Sequence, residues 1–252
     1  MTVTGHGTDT DTARALRGLE DDRASVRLRA ALAVGSTPDP RFVGTLVERC
    51  AVEPEFFVRD MLTWALTRHP VSVTLPPLLR ALHSERARAR SQSLHTLSKI
   101  GDRRAWPAIT RALLTDADDE VARSAWRAAV VLVPEGEEAA LAALLVTQLG
   151  RGGRETRLSL SQALVALGDA MTPAVAAATR APEPLVRAHA LATQRLLRDP
   201  DAGFTLAVEE AKRVVALGGH GGSGGSQGTG GPDDSGGSSG VIGSSGSVEE
   251  GP

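Results

Sequence analysis

The side chains able to do chemistry are few and scattered along the 252 residues. The histidines are His6, His69, His83, His95, His189 and His220, and none stands three or four residues from another His, Cys or carboxylate in a way that resembles a metal motif. Cys50 is the only cysteine, so neither an intramolecular disulfide nor a cysteine-based zinc site can form. It reads as a small buried hydrophobe in a reducing interior. The helix-forming part of the chain holds no Gly-x-Ser-x-Gly elbow, and the GTGG and GGSSG runs lack the lysine and flanking strand of a phosphate loop. These residues predict no enzyme, no metal and no cofactor.

The elements that would have to position a site are helical. Aromatic residues make up 3% of the chain and tyrosine is absent, while Ala and Leu dominate the apolar set. Turn signals recur every 30 to 35 residues or so, the period of a stacked supersecondary unit. Each recurrence couples an acidic or Pro-containing turn to an aliphatic-Arg step. Examples are Asp21-Asp22-Arg23-Ala24-Ser25-Val26-Arg27, Glu53-Pro54-Glu55-Phe56-Phe57-Val58-Arg59 and Pro182-Glu183-Pro184-Leu185-Val186-Arg187.

If that Arg opens the second helix of a hairpin, the positions one before it and three after it share a buried face. Those positions are Val26, Val58, Ala89, Val121, Thr156 and Val186, then Ala30, Leu62, Ser93, Ala125, Leu160 and Ala190. One turn further come Val34, Leu66, Leu97, Ala129, Leu164 and Gln194. First helices are expected to start at Asp39-Pro40, Leu75-Pro76-Pro77, Trp106-Pro107 and Thr172-Pro173. Gly35, Gly101 and Gly168 are expected to end helices in the left-handed conformation.

The resulting prediction is an all-α, right-handed α-solenoid (superhelix) of about six helical hairpins over residues 11–217, closed by a capping helix at about 200–217. Residues 1–10 and the Gly/Ser-rich stretch 218–252 are expected to be disordered, because they cannot bury enough apolar surface to offset the entropy of ordering. The formal charge is −2, and without the tail acids Asp233, Asp234, Glu249 and Glu250 it becomes +2, too little to imply a strongly electrostatic partner. No leader or run of about 18 apolar residues is present. A cytoplasmic protein with no membrane association, monomeric rather than homo-oligomeric, is expected.

The step Asp-Asp-x-x-Val-Arg-x-x-Ala from Asp21 to Ala30, followed by leucine and a glycine-bearing turn, resembles the HEAT repeat and its phycobilisome-lyase-like variant. The stretches Phe57 to Leu66 and His95 to Ile109 are similar to actinobacterial HEAT-repeat proteins, some relatives of which carry a MerR-type DNA-binding head. Only about ten residues precede the first helix, so no such head is expected here. The resemblance implies that the repeating arginines Arg27, Arg59, Arg90, Arg157 and Arg187 pair with acidic turn residues of their own or the adjacent unit, forming a structural ladder. Ala122 interrupts the pattern, and Arg151-Gly152-Gly153-Arg154 replaces the acidic turn of the fifth unit. Iron enzymes of this fold carry His-Glu pairs. No His here is followed by Glu.

What remains is surface. Positions one and five after the repeating Arg lie four residues apart on the second helix, outside the predicted buried stripe. In the middle three units they are Asp60 and Trp64, Ser91 and His95, and Arg123 and Arg127. These are the candidate partner-binding residues, since Trp and Arg are enriched in binding hot spots. The expected function is a non-catalytic protein-interaction scaffold. The alternatives are an accessory to a transcriptional regulator or nucleic-acid-associated protein, suggested by central arginines such as Arg86, Arg88 and Arg90, or an enzyme or lyase acting on a protein substrate.

Overall fold

The computed structural model describes residues 13–199 together with 208, 209, 211–213 and 215. Those residues are helical with short turns, and no strand occurs among them. The helices pair into six successive hairpins. The first joins α1 (13–19) to α2 (Ala24–Ser36), and the second joins α3 (Val43–Val52), entered by a 3₁₀ turn at Pro40–Phe42, to α4 (Phe56–Thr67). The third pairs α5 (Val71–Ala81) with α6 (Ala87–Ile100). In the fourth, a 3₁₀ segment Arg103–Ala108 and the short α7 (Arg111–Leu114) precede α8 (Asp119–Leu132). Helices α9 (Glu138–Leu145) and α10 (Arg154–Ala166) form the fifth, α11 (Thr172–Ala178) and α12 (Pro184–Arg198) the sixth. The described residues between 208 and 215 are helical and are called α13.

The second helices α2, α4, α6, α8, α10 and α12 pack on one another in that order, with the first helices laid against them as another layer. The stack is an α-solenoid. Its core lies between the two layers, and the predicted register is borne out there. All six residues three after the repeating Arg position are buried, from Ala30 to Ala190, as are Val34, Leu66, Leu97, Ala129 and Leu164 one turn on. Val26, Val186 and Gln194, at the two ends, are half-buried. Small residues let the helices approach closely. On α8, Ala122, Ala125, Ala128 and Ala129 are fully buried, and Trp126 fills the space they leave, donating its indole N–H to the Leu114 carbonyl at 2.8 Å.

Three local expectations are corrected. Helix α5 starts at Val71, after Pro70, so Pro76 and Pro77 lie inside it rather than at its entry. Neither can donate the i to i−4 bond, and the helix is held through that stretch by Leu75 and Leu78, which anchor it in the core. Pro107 sits within a 3₁₀ segment, and the first helix of that unit is correspondingly broken. Gly35 does not end a helix. It is buried within α2, where a Cβ would fall 2.3 Å from Trp64 Cζ3 and 2.9 Å from Ala65 Cα, so its role is to let α4 come close. Gly101 and Gly168 do adopt positive φ, 70° and 58°, and Asp39 does cap the turn at Pro40, accepting from the Arg41 amide at 2.9 Å.

The predicted flanks 1–10 and 218–252 lie outside the described residues. Part of the predicted capping helix is within them, as α13. Among the described residues no single helix is long and apolar enough to cross a membrane.

Candidate functional site

The repeating arginines are built into the turns. Arg27 Nη1 donates to the Asp21 and Asp22 carbonyls at 2.9 and 2.8 Å, and Arg59 Nη1 to those of Glu53 and Pro54 at 3.0 and 2.6 Å. Arg90 repeats the bond with Ser84 and Glu85, and Arg187 with Ala181 and Pro182. In each case the acceptors lie six and five residues upstream, so one guanidinium nitrogen holds the turn that starts its own helix. In two of them, Arg27 and Arg90, the remaining nitrogens reach the next unit, whereas among the described residues Arg59 and Arg187 form no ion pair with an acidic turn residue. Arg27 grips Glu53 with two bonds of 2.8 and 2.7 Å, and Arg90 grips Asp116 at 3.1 and 3.3 Å.

Glu53 is the centre of this network. It is fully buried and accepts from Arg27, from Arg49 and from the Glu55 amide. Burial alone would raise its carboxyl pKa, but those hydrogen bonds outweigh it and hold the group at about 2.

Arg157 departs from the ladder: among the described residues its side chain reaches only the Gly153 carbonyl, at 3.4 Å. The rung missing at Ala122 is supplied from the other direction. Arg151, in the irregular fifth turn, bonds the Asp116 carbonyl, which lies six residues before Ala122, and the Asp119 carboxylate at 2.9 Å. Thr156 donates to the other Asp119 oxygen at 3.0 Å. The sequence marked this turn as aberrant but not Arg151 as the replacement; counting back six residues from Ala122 to an unclaimed carbonyl was the available signal.

The histidines are structural where the chain encloses them. His69 lies between the Ala65 and Asp39 carbonyls, at 2.9 and 3.1 Å. His189 is buried with Nδ1 accepting from the Gly150 amide at 3.0 Å, which puts the ring proton on Nε2, facing the Arg157 carbonyl and Ser161 Oγ. Burial is the main reason its pKa falls to about 4. Cys50 is buried, and desolvation pushes its thiol up to about 12, far from reactivity at neutral pH. Among the described residues no three His, Cys, Asp or Glu side chains converge in a way that could hold a metal ion.

The candidate contact residues divide. Asp60 is exposed, and Trp64 keeps 37% of its surface accessible, its ring seated against Gly35 with the Arg68 guanidinium 5.9 Å from its centroid. His95, Arg123 and Arg127 are half-buried. Asp60, His95 and Arg127 come from three neighbouring second helices, and Asp60 and Arg127 both lie close enough to His95 to act on its charge. Burial, then Lys99 and Arg127, lower the His95 pKa, against opposing pulls from Asp60 and Glu120. Burial also lowers that of Arg127, against the pull of Glu120, and its guanidinium donates to Ser124 Oγ at 3.0 Å.

Ser91 is a correction: it is buried, with 2% of its surface accessible, and donates to the Arg88 carbonyl at 3.2 Å. Its side chain is short, and the neighbours α4 and α8 pack closely on either side of α6. At the C-terminal end, Ala188 and Ala192 hold the same two positions and are also buried, forming with Ala211 of α13 a cluster separate from the main core.

Beside the row, Phe56, Arg59, Ser91, Gln92, Asp118 and Glu120 border an open depression of about 560 Å³ at the N-terminal ends of α4, α6 and α8. Among the described residues Phe56 is the most exposed large apolar side chain, 74% accessible, with Arg59 lying over its ring.

No curated protein matches the chain. A family model described as HEAT repeats matches residues 58–130, from α4 through most of α8, the stretch that carries the candidate contact row. The chain is thus an α-solenoid whose central hairpins are similar to HEAT repeats.

Proposed function

We propose that the protein is a non-catalytic interaction scaffold that binds a partner protein on the face formed by its second helices. The observation that carries this reading is the half-open row of Asp60, Trp64, His95, Arg123 and Arg127. It sits on helices whose turns are held by the arginine ladder, while His69, His189 and Cys50 are taken up in packing. The similarity of residues 58–130 to HEAT repeats supports it, because such repeats commonly mediate protein interaction. A partly exposed indole on the same face as half-buried guanidinium groups is the composition of a binding hot spot.

Affinity capture from native lysate, quantified by mass spectrometry, tests the reading. The wild-type chain should retain at least one protein that a folded Trp64→Ala, Arg127→Glu variant loses. A retained set indifferent to both changes removes this face as the interface.

A further inference from the structure

Helix α13 shows what the second-helix face accepts. Val208, Ala211 and Val215, spaced as one helical stripe, join the cluster with Ala188 and Ala192 of α12 and with Leu158 of α10. Ala188, Ala192 and Leu158 stand one or five residues after the repeating Arg position. In the middle of the stack Asp60, Trp64, His95, Arg123 and Arg127 hold those places, and among the described residues no helix lies over them. One turn further along, the same row continues as Arg68 on α4, Lys99 on α6 and the exposed Val131 on α8.

We propose that this uncovered central stretch docks an amphipathic helix of a partner protein whose charged residues are mainly acidic. The proposal rests on the interface reading above and adds the partner's chemistry. Charge decides the sign. Among the described residues Arg68, Lys99 and Arg127 have no carboxylate partner. Arg123 has only Glu120, 3.8 Å away, and its Nε is buried without an acceptor. Glu120, Asp118 and Asp60 are the acids facing this row, and they gather toward the N-terminal ends of the helices, so the C-terminal half of the face is basic. Arg127 is already partly desolvated, so an incoming carboxylate meets a cation that has lost water without gaining an ion pair. The apolar stripe of the docked helix would lie along Trp64 and Leu32, the latter 47% accessible on α2.

The probes are labelled peptides of about 18 residues, five helical turns, with a Leu stripe and either Glu or Lys elsewhere, titrated with the full chain and read by fluorescence anisotropy. The Glu peptide should bind at least about tenfold more tightly than the Lys peptide in low salt, and the gap should shrink near 0.5 M salt, where the Debye length falls to about 4 Å. Lys99→Glu with Arg127→Glu should reverse the ranking, while Trp64→Ala should weaken both peptides and keep the order. Equal binding of the two peptides, both lost with Trp64→Ala, overturns the acidic preference while leaving the interface reading standing. Absence of binding by either peptide overturns the helix-docking proposal. So does a duplex DNA that binds more tightly than the Glu peptide and is lost in the charge-reversed variant, or self-association of the chain lost in that variant, which would put a second copy on the face.

Discussion

Glu53 and Gly35 show how single side chains set the distance between neighbouring units. Glu53 is buried with two arginines bound to it, and removing it leaves the Arg27 guanidinium enclosed without its counter-charge. Glu53→Ala should therefore cost about 3–5 kcal/mol in denaturant unfolding. Gly35 poses the opposite problem. Alanine in a helix is worth about 1 kcal/mol over glycine by propensity alone. Here the added Cβ meets both the Trp64 ring and the α4 backbone, and the backbone cannot swing away. Overpacking should win, so Gly35→Ala is expected to destabilise by about 1–3 kcal/mol and to change tryptophan fluorescence as Trp64 moves. A stabilised variant with unchanged emission would contradict that contact. The pairing of Arg27 with an acidic turn residue of the next unit is what the family resemblance implies, but the Gly35 contact is not legible from the residues alone. Glycine was read as a terminator because its use at close approach depends on a tryptophan 29 positions away in sequence.

At the scale of the helix pair, the ladder explains why the second helices start where they do. Helices α2, α4, α6, α10 and α12 have no side-chain N-cap, and in four of the five the upstream carbonyls are held by the arginine of the first turn. Helix α8 has no such arginine and uses Asp118 instead, accepting from the Glu120 and Val121 amides, with Arg151 bonding the turn from the next unit. Arg151→Ala should lower stability, and adding Ala122→Arg to it should restore part of the loss, because the register places the new guanidinium at the Asp116 carbonyl. No recovery in the double variant would break the equivalence drawn between the two rungs.

The element scale is where the sequence was most informative. A second helix is long, opens on a repeating step and buries a stripe of period 3.6, so its register could be read directly. First helices are short and proline-interrupted, and their starts depend on packing, which is why α5 and the segment before α7 were misplaced. Ser91 reads as an open-face residue for a related reason. Helical spacing fixes the direction of a side chain and says nothing about what covers it.

For the whole molecule, stability should depend on pH through the contact between the fifth and sixth units. His189 resists protonation down to about 4 when folded, whereas an ordinary histidine gains its proton near 6.5. Between those values the unfolded chain binds the extra proton. Stability should accordingly be full above pH 6.5 and fall with acidification, by about 3 kcal/mol at 1.36 kcal/mol per pKa unit. Glu53 acts in a lower window, with its contribution present above about 4.5 and lost toward 2, so the two are separable. His189→Gln should flatten the upper part of the profile, and an unchanged slope there would assign it elsewhere. The stack is built from nearest-neighbour contacts, so loosening at this junction should leave the central hairpins folded.

On the reading proposed above, a partner binds the central second-helix face. The most direct measurement replaces Asp60 with a photo-crosslinking amino acid in one variant and Ala112, exposed on α7 in the other layer, in a second. Both are irradiated in native lysate. The account predicts a discrete protein adduct from position 60 that is absent from position 112 and competed by the uncrosslinked chain. The same adduct from position 112, with none from position 60, would contradict it.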